Sequence, residues 1–179
     1  MYLAQDEVEK ALRSIQTYSG KLRDKILLTQ GKCFDKVKNF TEANTCYQEA
    51  LNLSKRDDAI KGEVLSRLGW NQLKPEIGQL KEGLRNLELA AELCPNSLEI
   101  LLKLVGAINQ AEEPSNQNSK RILTILAGRT DSESLFLQAK ALYKLQEYTQ
   151  AIDLVSKALA EEPNKPNGYF LLGSCFEKI

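Results

Sequence analysis

The sequence predicts an all-α fold, a solenoid made of antiparallel helix pairs. Small residues recur at matching places, namely Gly31, Gly69, Ala139 and Gly173, and the last two are 34 residues apart. A large residue lies three positions after the small one in most copies. A second small residue, such as Ala151 after Ala139, follows 12 positions later. Residues three or four apart share one face of a helix, so one helical face is repeated along the chain.

The amino-terminal part begins this array. Apolar residues recur at helical spacing within residues 1–23, which predicts a packing helix ahead of the repeats. The first full copy is predicted over residues 24–57. Its first helix carries Gly31 and Phe34, and its second carries Ala43, Tyr47 and Ala50.

The next two copies are irregular. In the copy over residues 62–97, Gly69 and Gly83 are 14 residues apart, which predicts two extra residues in the turn around Pro75. In the copy over residues 98–131, Val105 replaces the small residue and residues 114–119 replace the tight turn. We therefore expect a long loop there, followed by a short second helix from Lys120 to Ala127, and we leave open whether that loop contacts a partner.

The fourth copy, residues 132–165, is the most regular. Ala139 lies on its first helix, Ala151, Val155 and Ala158 lie on its second, and Pro163 follows. This pattern resembles the tetratricopeptide repeat (TPR), whose signature is aromatic-x-x-Leu-Gly-x-x-Tyr, then Ala-x-x-x-Phe, Ala and an exit Pro. The resemblance implies a right-handed superhelix.

Residues 166–179 match the first helix of a fifth copy. A terminal helix in a repeat array needs a polar outer face, yet this one carries Phe170, Leu171 and Phe176 besides its core residues. We therefore expect further repeats or a protein partner to cover it.

Composition excludes several classes of function. The chain has 24 basic and 24 acidic residues, so its zero net charge gives no general attraction to nucleic acid. Histidine is absent, the four cysteines form no C-x-x-C pair, and no phosphate-binding loop is present. We predict a protein that is not an enzyme and binds neither metal nor cofactor. With no membrane span or secretory signal visible, we expect it in the cytoplasm or nucleus.

In the TPR family, the first helices of successive repeats line a concave groove. Carried onto this sequence, the groove-facing places include apolar and aromatic residues flanked by cations, and we expect them to bind a peptide or amphipathic helix of a protein partner. The predicted groove residues are Leu28, Lys32, Arg67, Trp70, Leu102, Lys103, Phe136, Lys140, Tyr143 and Phe170. Trp70, Phe136 and Phe170 have an alternative role, which is to fill space between repeats.

Two more specific functions follow from the resemblance. The family's clamp for acidic chaperone tails needs lysine, asparagine and arginine at fixed places, and this sequence departs from it at Leu28, Arg67 and Glu99. The second is RNA binding, as in the interferon-induced group, with phosphate contacts and stacking rings from basic and aromatic groove residues. Those residues are Arg67, Trp70, Lys103, Lys140, Tyr143 and Lys144. We retain RNA as the alternative partner.

Overall fold

The computed structural model describes residues 23–54, 57–110 and 115–179. Within these ranges the chain forms nine α-helices and no β-strand. The helices are α1 (Arg23–Lys36), α2 (Phe40–Leu53), α3 (Asp58–Gln72), α4 (Leu80–Leu93), α5 (Leu98–Gln110), α6 (Ser115–Ile125), α7 (Ser132–Lys144), α8 (Tyr148–Glu161) and α9 (Pro166–Phe176). The packing helix predicted over residues 1–23 lies outside the described residues, except for Arg23, which begins α1.

The described chain divides into two compact units. Unit 1 extends to Ala107 and unit 2 runs from Ile108 to Ile179, so the division falls inside α5. The cores of the two units are separate clusters of apolar side chains. In unit 1, Tyr47, Val64 and Leu68 pack together between α2 and α3. In unit 2, Leu135, Val155 and Leu171 pack together between α7, α8 and α9.

The repeated small residues explain how closely paired helices approach. A Cβ added at Gly31 would overlap the ring of Tyr47 on α2. A Cβ at Gly69 would lie 2.7 Å from the carbonyl oxygen of Gly83, and a Cβ at Gly83 would lie 2.7 Å from the carbonyl oxygen of Gly69. The α3–α4 pair therefore depends on glycine at both positions, because backbone atoms cannot move away as a flexible side chain can.

The stretched turn between α3 and α4 is held by side-chain amides. Asn86 donates to Gln72 Oε1 at 2.7 Å, and Gln72 donates to Gln79 Oε1 at 3.1 Å. Gln72 and Asn86 are both buried, so these bonds satisfy polar groups that water does not reach. The turn itself reverses at Gly78, whose φ of +65° suits glycine. The longer turn of this copy is thus accompanied by buried amide hydrogen bonds between α3, the turn and α4.

The third helix pair differs from the sequence prediction. Its second helix runs from Ser115 to Ile125, whereas a helix from Lys120 to Ala127 was expected. The prediction was wrong because residues 115–119 are serine, asparagine and glutamine, which are weak helix formers or loop formers by themselves. In the structure Asn118 is buried and donates to the backbone oxygen of Ile108 at 3.0 Å. This tertiary contact favours helix where local preference favours loop.

Candidate partner-binding surfaces

The predicted cations of unit 1 are paired with carboxylates of the same unit. Lys32 Nζ lies 2.6 Å from Glu63 Oε1, and Arg67 Nε lies 3.2 Å from the same oxygen. Lys103 Nζ lies 2.8 Å from Glu99 Oε1 and also donates to Ser66 at 3.4 Å. We call these three contacts the unit 1 ion pairs. An anionic ligand would have to displace a carboxylate to reach any of these three cations.

The electrostatics of these carboxylates agree with the geometry. Burial alone would raise the pKa of Glu63, but the hydrogen bond and charge of Lys32, followed by those of Arg67, hold that pKa below its ordinary value. The hydrogen bond from Lys103 lowers the pKa of Glu99 in the same direction. Both carboxylates are therefore ionised at neutral pH: Glu63 is shared by Lys32 and Arg67, and Glu99 pairs with Lys103.

A partly buried polar contact lies beside the unit 1 ion pairs. Asp35 accepts from the hydroxyl of Tyr47 at 2.5 Å and from Asn71 at 2.6 Å, and Arg67 approaches it at 4.0 Å. Burial, followed by the bond to Asp35, raises the pKa of Tyr47 far above its ordinary range. This contact links α1, α2 and α3, so Asp35 holds the helices together.

The predicted apolar positions of unit 1 are mostly covered. Leu28 is only 6% exposed and belongs to the core cluster with Tyr47 and Val64. Leu102 is half-buried. Trp70 packs toward α5, where a Cβ at Gly106 would lie 3.3 Å from the indole ring. The space-filling role of Trp70 therefore has direct structural support, although the ring remains partly exposed.

Lys74 lies over the same indole. Its Nζ is 5.1 Å from the centroid of the Trp70 ring and 6.0 Å from the centroid of the Phe40 ring. The cation thus contacts two aromatic faces at the turn after α3.

Unit 2 presents a different surface on α7 and α9. Phe136, predicted as a groove residue, is 8% exposed and belongs to the core cluster of unit 2 with Leu135 and Val155. Lys140 Nζ lies 5.9 Å and Lys165 Nζ lies 5.2 Å from its ring centroid. Lys140 is exposed and forms no ion pair with any side chain of the described ranges. Phe170, 34 residues after Phe136, is 77% exposed. Unit 2 therefore offers an exposed ring and an available cation.

Tyr143 and Lys165 complete the surroundings of this surface. The Tyr143 ring lies edge-on to Tyr148, with centroids 5.6 Å apart. Lys165 Nζ lies 2.6 Å from Glu133 and 3.4 Å from Glu162. Burial opposes the charge on Lys165, but the bonds to these glutamates raise its pKa above the ordinary value. Sequence reasoning missed Lys165, because its partner Glu133 is 32 positions away and no local spacing relates the two.

The chemistry available on the described surfaces is that of binding. No three His, Cys, Asp or Glu side chains of the described ranges come together as metal ligands. Among the four free cysteines, Cys175 is buried and the other three are partly buried. None of the nine described helices is both long and apolar enough to span a bilayer.

Comparison with known proteins identifies the fold. No protein family model and no curated protein sequence matches the chain. Solved structures of MamA resemble it: one has a TM-score of 0.69 and 18% identity over 88% of this chain and 82% of that one. MamA from Desulfovibrio magneticus RS-1, beginning at residue 41, has a TM-score of 0.67 and 17% identity over 86% of this chain and 83% of that one. At this identity the likeness concerns the fold alone, and it confirms the predicted all-α solenoid of helix pairs.

Proposed function

We propose that the chain is a TPR-type protein-interaction scaffold without catalytic activity. The observation that carries the proposal is the surface of unit 2, where the exposed Phe170 and the uncommitted cation Lys140 belong to first helices of their pairs. The recurrence of small residues at matching places and the likeness to helical solenoids support the assignment to the TPR class. The proposed occupant is a peptide or amphipathic helix of another protein, as part of a larger complex in the cytoplasm.

The chemistry of this surface defines the occupant. An exposed phenylalanine suits an apolar anchor that removes the ring from water, and large apolar rings are frequent sites of concentrated binding energy. A cation without a carboxylate partner suits an acidic side chain beside that anchor, and it costs no internal ion pair to engage. The expected ligand therefore carries one or more apolar anchors with an adjacent aspartate or glutamate.

Unit 1 contributes differently to the proposed function. Lys32, Arg67 and Lys103 are already engaged in the unit 1 ion pairs, so they would bind a ligand only by exchanging carboxylates. Leu102 and Trp70 keep partial exposure and could contact the apolar side of a ligand. We therefore assign the anchoring role to Phe170, Lys140 and Tyr143 of unit 2.

The experiment is an affinity purification of the protein from its native cells, with half of the sample treated with nuclease before the bound material is identified. Phe170→Glu is compared with Leu53→Glu, which alters another exposed apolar residue, on the second helix α2. We expect protein partners that survive nuclease, are lost with Phe170→Glu and are retained with Leu53→Glu. Partners that all disappear with nuclease, with RNA recovered, would establish the RNA alternative. Equal binding by both variants would exclude the unit 2 surface.

A further inference from the structure

Two aromatic rings of unit 1 hold the ammonium group of Lys74 between them. Phe40 begins α2 and Trp70 lies in the last turn of α3, and both rings are partly exposed. The Lys74 Nζ is 5.1 Å from the centroid of the Trp70 ring and 6.0 Å from the centroid of the Phe40 ring. Distances of this size allow attraction between a cation and a ring face. We call Phe40 and Trp70 the aromatic pair.

The aromatic pair is positioned by the packing of its helices. Tyr47 of α2 packs with Val64 and Leu68 of α3 in the core of unit 1. The edge of the indole ring also lies against α5, where a Cβ at Gly106 would be 3.3 Å from Cζ3. These contacts do not involve the ammonium group, so the rings keep their places when that group leaves them.

Lys74 can leave the aromatic pair without disturbing the turn that carries it. Its backbone nitrogen donates to the carbonyl oxygen of Asn71 at 3.0 Å. Its own carbonyl oxygen accepts from the backbone nitrogen of Ile77 at 2.9 Å and from that of Gly78 at 2.8 Å. The ammonium group, by contrast, forms no ion pair with a carboxylate of the residues that the structure describes. The backbone is therefore fixed while the cation is exchangeable.

The Phe136 ring of unit 2 lacks this combination. It is only 8% exposed, and Lys165, which lies over it, is bound to Glu133 at 2.6 Å. A cation from outside would find that ring covered and one of its two lysines held by a carboxylate. Among the ring–cation contacts of the described residues, the aromatic pair alone has partly exposed rings and a cation without a carboxylate partner.

We propose that the aromatic pair binds a methylated lysine side chain of a partner protein and that Lys74 occupies this site when the partner is absent. An unmodified ammonium group is compact and strongly hydrated, so it gains little from a site that offers rings and no carboxylate. Methylation keeps the positive charge and weakens the hydration. A trimethylated ammonium therefore gains more from the two ring faces and displaces Lys74.

The test is a titration followed by the fluorescence of Trp70, the only tryptophan of the chain. The probe is a short peptide, blocked at both ends, that carries one trimethyl-lysine between alanines. We expect a saturable change in emission, with weaker binding of the same peptide carrying unmodified lysine. Lys74→Ala removes the internal occupant and should tighten binding of the trimethyl-lysine peptide about two- to fivefold, the size of one exposed cation–ring contact.

Matched variants and a neutral peptide separate cation binding from general effects. Phe40→Leu keeps an apolar side chain, as Leu80 does at the first position of α4, and should weaken binding about two- to fivefold. Lys81→Ala removes an exposed lysine of α4 and changes the net charge as Lys74→Ala does, so it should bind like the wild type. A peptide with a neutral tert-butyl group in place of the trimethylammonium keeps the shape, loses the charge and should bind more weakly. Circular dichroism checks that each variant is folded.

Three results would overturn the proposal. The first is a wild-type chain that shows neither a change in emission nor a shift of the Trp70 indole resonance with the trimethyl-lysine peptide. The second is equal binding of the tert-butyl peptide, and the third is an unchanged affinity of Phe40→Leu. The aromatic pair shares no residue with the surface proposed for unit 2, so failure of either proposal leaves the other standing.

Discussion

Unit 1 and the end of unit 2 use the same repeat in opposite ways. In unit 1, Gly69 is covered by Gly83 of the next helix, and the cations Lys32 and Arg67 are bound by Glu63. In unit 2, Gly173 faces open space and Lys140 has no carboxylate partner among the described residues. The comparison teaches that the role of a repeat position depends on whether neighbouring residues occupy the space beside it or pair with its charge. A glycine or a lysine there has no fixed function of its own.

The largest expected effect comes from adding one methyl group at the two glycines. Gly69→Ala should destabilise the protein by about 1–3 kcal/mol, because the new Cβ meets the Gly83 carbonyl at 2.7 Å. Gly173→Ala should stabilise it by up to about 1 kcal/mol, because alanine favours helix and finds no clash. Urea unfolding followed by circular dichroism measures both. A similar loss of stability in both variants would contradict the expected difference between Gly69 and Gly173.

The second prediction concerns the buried amides of the α3–α4 pair. Asn86→Ala removes the donor to Gln72 and leaves a buried carbonyl oxygen without its 2.7 Å partner. We expect a loss of about 1–3 kcal/mol in the free energy of unfolding. The control is Gln150→Ala on α8, an exposed amide whose removal should change stability by less than about 0.5 kcal/mol. Thermal unfolding of the two variants side by side provides the measurement. An Asn86→Ala variant as stable as the wild type would show that other contacts hold the stretched turn.

The third prediction is a pH dependence of opposite sign in the two units. The pKa of Glu63 is lowered in the folded state, so its contribution is present at neutral pH and disappears as the pH falls below about 4. The pKa of Lys165 is raised, so its contribution is present at neutral pH and disappears as the pH rises through that raised value. Both groups are only partly shielded from solvent, and each effect should be about 1 kcal/mol or less.

Unfolding titrations of Glu63→Gln and Lys165→Met against the wild type separate these two effects. The Glu63→Gln curve should converge with the wild-type curve at acid pH, and the Lys165→Met curve should approach it only at alkaline pH. Convergence at the wrong end of the pH scale would contradict the assigned direction of the shift.

The smallest expected change in stability comes from replacing one of two predicted groove lysines, Lys32 or Lys140. Lys32→Gln removes the 2.6 Å ion pair with Glu63 and should cost up to about 1 kcal/mol. Lys140→Gln removes a cation that has no carboxylate partner and should change stability by less than about 0.5 kcal/mol. Differential scanning calorimetry in low salt resolves the difference, which added salt should reduce. Equal losses would show that Lys140 is structurally engaged after all.

The sequence predicted the helix pairs because small residues must recur wherever helices approach closely. Gly31 and Ala139 are each followed by a second small residue 12 positions later, and such spacing is readable from one chain. The start of α6 was not readable in this way. Asn118 gains a bond to the Ile108 backbone only after the chain folds, so its local loop preference was misleading.

The candidate surfaces were harder to predict than the fold. The sequence identified which residues belong to first helices, but it could not show that Lys32 pairs with Glu63, 31 positions later, or that Leu28 lies in the core. Such pairings depend on side-chain reach across neighbouring helices. They decide whether a lysine is free for a ligand: Lys32 and Lys103 of unit 1 are paired with carboxylates, whereas Lys140 of unit 2 has no carboxylate partner among the described residues.

Lys165 joins two helices of unit 2 through one side chain. Its ammonium lies over the Phe136 ring on α7, bonds Glu133 of the same helix, and stands at the residue preceding α9. Displacing this ammonium would therefore break contacts to α7 and release the start of α9 in one step.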